Sequence, residues 1–120
     1  MALAPLLARG ISADSATVDA ATALQLATSS GAAAIGLDVG SLTAGKPADI
    51  VRLDLDHPAL APLLDDELLT AVVFAGGPHL VTDVWVDGVQ VVSHRTITTV
   101  DTDAVVADAT IRARRIANDA

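Results

Sequence analysis

Residues 80–93 read LVTDVWVDGVQVVS, and the pair Asp87-Gly88 stands between two β-branched runs. That arrangement predicts a two-residue hairpin, because Asp-Gly accepts the positive φ angles a tight turn of matching twist requires. The register follows from the turn. Val86 opposes Val89, Val84 opposes Val91, and Trp85 opposes Gln90 on the other face. Four valines then share one face, which is expected to be buried. Working outward, residues 49–55 alternate, with Val51, Leu53 and Leu55 on one side and Arg52 and Asp54 on the other, which predicts a strand. Residues 40–49 turn into that strand, and residues 57–64, with two prolines, read as a loop. Asp65 or Asp66 is expected to cap a short helix reaching about Ala75.

The flanks read as helical. Residues 2–9 form the end of a helix and 11–16 a polar loop. Thr17 is the expected N-cap of a helix to about Thr28, with Asp19 in its first turn and Ala20, Leu24 and Ala27 on one face. A short Ala-rich turn from Ser30 ends at Gly36, a suitable C′ residue. The last helix starts after Asp101. Val106, Ala109, Ala113 and Ile116 form its apolar stripe, acidic residues lie at its start, and Arg112, Arg114 and Arg115 lie near its end.

Composition bounds the function. The 120 residues suffice for one domain, and 52% hydrophobic against 18% charged residues argues against disorder. Phe74 and Trp85 are the whole aromatic complement, so the core must be built from Ala, Val, Leu and Ile. Fifteen acidic against seven basic residues give a net charge of -8, which disfavours nucleic acid and anionic membranes as partners. Cysteine is absent, which excludes disulfides, thiolate metal sites and cysteine nucleophiles. The N-terminus MALAPLLARG lacks the basic start and length of a signal peptide, and no run approaches a membrane span, so a cytoplasmic location is expected.

Candidate chemistry is sparse. Asp54, Asp56 and His57 cluster at a strand end, where a metal could bind, but ordinary turn residues account for them as well. The aspartate pair of haloacid-dehalogenase-like phosphatases needs a hydroxyl residue two places after the second Asp, and Pro58 stands there. His79 and His94 are isolated, with no second ligand at metal-binding spacing. Ser29-Ser30-Gly31 lacks the Gly-x-Ser-x-Gly elbow, and Lys46 is followed by Pro47 where a phosphate loop needs Ser or Thr. The Arg112–Arg115 cluster reads as a helix-end charge match.

Three segments together resemble the amidohydrolase superfamily. Ala23-Leu24-Gln25-Leu26-Ala27-Thr28 with Gly31-Ala32 and Ile35-Gly36-Leu37 resembles its AL-x-x-AT-x-x-GA-x-x-LGL run. Gly40-Ser41-Leu42 with Gly45-Lys46, then Ala48-Asp49-Ile50-Val51 and Leu53-Asp54, resembles its GSL-x-x-GK-x-ADLVVLD segment. Val84-Trp85-Val86-Asp87-Gly88 with Val91-Val92 resembles its V-x-V-x-G-x-x-V hairpin. The similarity is to the branch of cytosine and guanine deaminases and triazine chlorohydrolases, with shorter words resembling formiminoglutamate deiminases.

The resemblance implies an α/β chain made of the end of a (β/α)8 barrel plus the C-terminal strands of a small β-sandwich. Residues 1–38 would be the last barrel helices, 39–100 the C-terminal part of a composite sandwich, and 101–120 a C-terminal helix. Such enzymes hold a divalent metal, zinc or iron, which activates water for attack on a C–N or C–Cl carbon. Their metal ligands lie upstream of the matched segments and none maps onto this chain, so no catalytic, cofactor-binding or metal-binding residue is assigned. The expected partners are the missing N-terminal part of the enzyme or a second copy of the chain. Two other readings remain open: a free-standing α/β interaction module acting through its sheet edges, and a small enzyme using Asp54, Asp56 and His57.

Overall fold

The computed structural model describes residues 2–12, 18–64 and 66–118. Helices α1 (Leu3–Ser12), α2 (Ala20–Ala27) and α3 (Ser29–Ala34) precede strand β1 (Ile50–Leu53). Helix α4 (Leu68–Phe74) follows, then strands β2 (Val81–Val86), β3 (Val89–Ser93) and β4 (Thr96–Ile97), and finally helix α5 (Thr102–Asn118). The strands form one antiparallel sheet in the order β1-β2-β3-β4.

The helical flank departs from expectation in two places. Helix α1 runs on through Ile11 and Ser12, where a loop was expected. Pro5 is tolerated because it lies in the first turn, whose N–H groups lack intrahelical partners in any case. The cap of α2 is Asp19, not Thr17, which lies outside the described residues; the Asp19 carboxylate accepts the Thr22 amide at 2.7 Å. Within α2 the buried residue is Ala23; Leu24 is half-buried and Ala27 is exposed. Helix α3 ends as expected. Leu37 N–H donates to Ala32 O and Gly36 N–H to Ala33 O, which satisfies the last carbonyls. Gly40 then passes so close to Thr28 that a Cβ there would sit 2.6 Å from the Thr28 carbonyl carbon, and its φ is +84. Only glycine fits this crossing. Lys46 closes the turn onto Asp38 at 2.6 Å.

Strand β1 is shorter than expected. It stops at Leu53, and Asp54 Oδ1 accepts the Asp56 amide at 3.1 Å, bending the chain so that Leu55 leaves the strand face. The stretch after it is not wholly irregular, since Pro58–Leu60 makes a 3₁₀ turn capped by His57. Helix α4 begins after Glu67 with no side-chain cap; Asp66 sits in the preceding turn and Asp65 lies outside the described residues.

The hairpin forms as the turn dictates, with Asp87 at φ 49 and Gly88 at φ 78. Val86 opposes Val89 and Trp85 opposes Gln90, but Val84 opposes Val92, not Val91. Val91 is the extra residue of a bulge, and its carbonyl accepts Thr98 N–H at 3.0 Å instead. Asp49 fastens the tip, its carboxylate accepting the Asp87 amide at 2.7 Å. A second two-residue turn, unmarked by glycine, joins β3 to β4: His94 and Arg95 adopt φ 47 and φ 67.

The bulge aligns Val51, Val84, Val92 and Ile97 across all four strands. Directly opposed residues of an antiparallel sheet share a face, so this row is one apolar stripe. It is not buried as expected. Val51 is 56% exposed and Ile97 43%, Val84 and Val92 are half-buried, and toward the hairpin tip Val86 is 52% and Val89 63% exposed. The buried apolar residues are Pro5, Ala23, Ala32, Leu60, Val73 and Leu80, carried by the helices, the turn after β1 and the residue before β2. As the composition required, none is aromatic. The Cα radius of gyration is 18.4 Å, against about 14 Å for a self-contained domain of this length. Among the described residues, no helix is long and apolar enough to cross a membrane.

Candidate functional site

Two polar clusters flank the β3–β4 turn, one just before β2 and the other at Asp83 within it. The first gathers loop residues that sequence reasoning left separate. Arg95, in the β3–β4 turn, donates from Nη2 to Asp54 Oδ2 at 2.8 Å and from Nη1 to the His79 carbonyl. The His57 and His79 rings lie 4.9 Å apart between centroids, tilted by 45°. Asp54, His57 and His79 therefore do meet. Asp56 contributes its amide to the turn, and His94 points elsewhere, its Nδ1 3.1 Å from Ser93 Oγ.

The second cluster was not anticipated. Asp83 is 1% exposed. Its Oδ1 accepts from Gln90 Nε2 at 2.9 Å and from the His94 amide at 3.3 Å. Its Oδ2 accepts no hydrogen bond but lies 2.5 Å from Arg52 Nη2 as a charge pair. The Thr82 hydroxyl, then the His94 amide and the Arg52 charge, lower the Asp83 carboxyl below its ordinary value, outweighing the desolvation that raises it. Asp83 lies opposite Arg52, on the face that alternation leaves away from the valines. Without the bulges, nothing marked it as buried.

Neither cluster presents a set of metal ligands among the described residues. A catalytic zinc site takes three protein ligands, and among the described residues no three His, Cys, Asp or Glu side chains converge. The nearest approach, His57 with His79, also fails on proton placement. His57 Nδ1 accepts the Ala59 amide at 3.1 Å, so a neutral ring carries its proton on Nε2, the nitrogen that would have to face a metal. The residues present thus do not fit the metal that the resemblance implies. Asp54 is held by Arg95, and Asp83 is sealed in the sheet. Both clusters fasten loops and strands.

The other candidates behave as local structure. Ser29, Ser30 and Gly31 open α3, and residues 40–45 form the turn before β1. Arg112 pairs with Asp108 one turn back at 2.7 Å. A groove of about 750 Å³ lies between α2, α4 and the edge of β1, lined by Leu24, Leu42, Val51, Leu53 and Val72 among others. Its polar groups are already engaged: Thr28 donates to the Leu24 carbonyl, and Asp49 accepts from the hairpin tip. It is a packing surface without a reactive pair.

Comparison with known proteins gives these surfaces a context. The profile of the Amidohydrolase family matches residues 1–91. A 5-methylthioadenosine/S-adenosylhomocysteine deaminase of Teredinibacter turnerae is 36% identical over 108 residues, covering 88% of this chain and 24% of that protein. The Moorella thermoacetica protein of the same name is 38% identical over 111 residues, covering 91% of this chain and 26% of its own. A crystal structure of an adenosine deaminase from Xanthomonas campestris with bound zinc superposes with a TM-score of 0.88 at 38% identity, over 96% of this chain and 26% of that one. The chain thus spans about a quarter of the length of the relatives it matches. With the family profile covering most of its length and its elements superposing on a solved relative, the chain belongs to the Amidohydrolase family.

Proposed function

We propose that this chain is the C-terminal quarter of a metal-dependent deaminase that hydrolyses the exocyclic amine of an adenosine-type nucleoside, releasing ammonia. Residues 1–38 supply the last barrel helices, 39–100 the C-terminal part of a composite β-sandwich, and 101–120 a closing helix. The carrying observation is the match of nearly the whole chain to a quarter of deaminases from several bacteria. The geometry supports the same reading. Only six apolar residues are buried among those described, the valine row is partly exposed, the groove lies open, and the radius of gyration exceeds that of a closed domain.

In this role the chain's residues position, and do not react. Asp83 with Arg52 and Gln90 locks the strand register, and Arg95 with Asp54 ties the β3–β4 turn to the end of β1. The partner is the catalytic portion of the enzyme. The metal, zinc by analogy with the Xanthomonas structure, belongs to that portion and would activate water there. No nucleic acid or membrane partner is expected from a net charge of -8, and the expected location is cytoplasmic.

The test is a graft. The matching quarter of the Xanthomonas deaminase is replaced by all 120 residues, and zinc content and ammonia release from adenosine are measured beside the parent. A zinc-loaded, active chimera is expected. An inert or zinc-free chimera, or ammonia release by the 120-residue chain alone, contradicts the proposal.

A further inference from the structure

Helix α5 buries none of its 17 residues, whereas α2, α3 and α4 each bury one. Val106 is 63% exposed and Ile116 70%. Around the helix, at 100° per residue, Thr102, Val106, Ala109, Ala113 and Ile116 recur at spacings of four and three and fall on one face, with Val105 at its margin. Ile111 falls on the opposite face. The local supports of α5 are its N-cap, Asp101 Oδ1 accepting the Ala104 amide at 3.0 Å, and the Asp108–Arg112 pair. Such exposed local contacts are individually weak, and helices near this length are marginal in water without packing.

The pose of α5 is nevertheless shared. The superposition on the Xanthomonas deaminase omits only 4% of this chain, far less than 17 residues, at a TM-score of 0.88. Most of α5 therefore superposes on a counterpart in that protein, which has the other three-quarters of its length present. An attached body meets the helix at the high effective concentration of a tether. A second copy must approach against the repulsion between two net charges of -8.

Resting on the reading proposed above, we infer that the Val106–Ala109–Ala113–Ile116 face of α5 docks within one deaminase molecule, onto the catalytic portion. Ala109 and Ala113 let the helix backbone approach closely, while Val106 and Ile116 anchor its two ends. The receiving surface is an apolar trough that matches this face, with Arg114 and Arg115 turned away from it toward water.

The experiment uses the chimera in two variants. Val106→Asp/Ile116→Asp places charges on the docking face; Ile111→Asp makes the same kind of change on the face left in water. Unfolding midpoints and sedimentation velocity are measured for both. The expected result is a monomeric chimera, a midpoint several degrees lower for the double variant, and no shift for Ile111→Asp. Equal midpoints for the two variants in an active chimera overturn the docking face and leave the deaminase reading standing. A chimera dimer that dissociates only in the double variant overturns it in favour of a second copy. A chimera without zinc or activity removes the deaminase reading, and the inference with it.

Discussion

The sheet and helix α5 are secured in opposite ways. Between residues 50 and 97, contacts distant in sequence do the holding. Asp54 N–H reaches Leu80 O, Arg52 meets Asp83, Asp49 clamps the Asp87 amide, and Arg95 bridges to Asp54. From 102 to 118 the side-chain hydrogen bonds that support the helix are local, within four residues, and no side chain is buried. The difference shows that regular backbone is no measure of completeness. Helix α5 is fully formed by capping and charge order, yet its apolar face has nothing against it among the described residues.

That contrast can be broken most sharply at Leu80, which is 1% exposed and one of six buried apolar residues among those described. Leu80→Ala is expected to cost about 2–5 kcal/mol through lost burial and the cavity left behind, read by urea unfolding of the chain. A cost below about 1 kcal/mol would show that the sheet does not depend on this core. Gly88→Val comes next. No atom lies within 4 Å of a Cβ there, so the cost is backbone strain at φ +78 alone, roughly 1–3 kcal/mol. An unchanged melting temperature would refute the turn.

The third test is acid. The Asp83 and Asp19 carboxyls both lie below their ordinary value of 3.8. The folded state therefore binds fewer protons than the unfolded chain in that range. Their contribution is present above about pH 3.8 and is lost as the pH falls below it. Asp83→Asn should lower the melting temperature at neutral pH and flatten its decline below about pH 4, leaving the part due to Asp19. An identical pH profile in the variant would mean that Asp83 is not the acid-sensitive tie. The smallest effect belongs to α5. In the chain alone, Val106→Asp/Ile116→Asp should change stability by no more than about 0.5 kcal/mol, as for other exposed positions. A larger loss would mean that α5 already packs on this chain.

These expectations trace what the residues disclosed. The Asp87-Gly88 turn was legible because the pair itself carries the needed φ preference. The His94-Arg95 turn was not, since neither residue advertises positive φ, and strand β4 went unseen with it. The Val84–Val92 pairing escaped because a bulge follows from Thr98 claiming the Val91 carbonyl, a contact that alternation along the strand does not register. The valine face was read as buried because alternation reports which residues share a face, not whether anything covers it. Asp83 looked like any strand aspartate. The absence of an assigned catalytic residue rested on motif spacing, and Arg95 drew Asp54 and His79 together into a fastening whose members are 41 and 16 residues distant from it. The family resemblance survived all of this, since it depends on residue words and not on register.

The central claim, that the sheet holds itself while α5 awaits the catalytic portion, is tested most directly by amide hydrogen exchange on the 120-residue chain and on the chimera. Protected amides in β2 and β3 are predicted in both proteins, with α5 exchanging rapidly in the chain alone and slowly in the chimera. Equal protection of α5 in the two would contradict the claim.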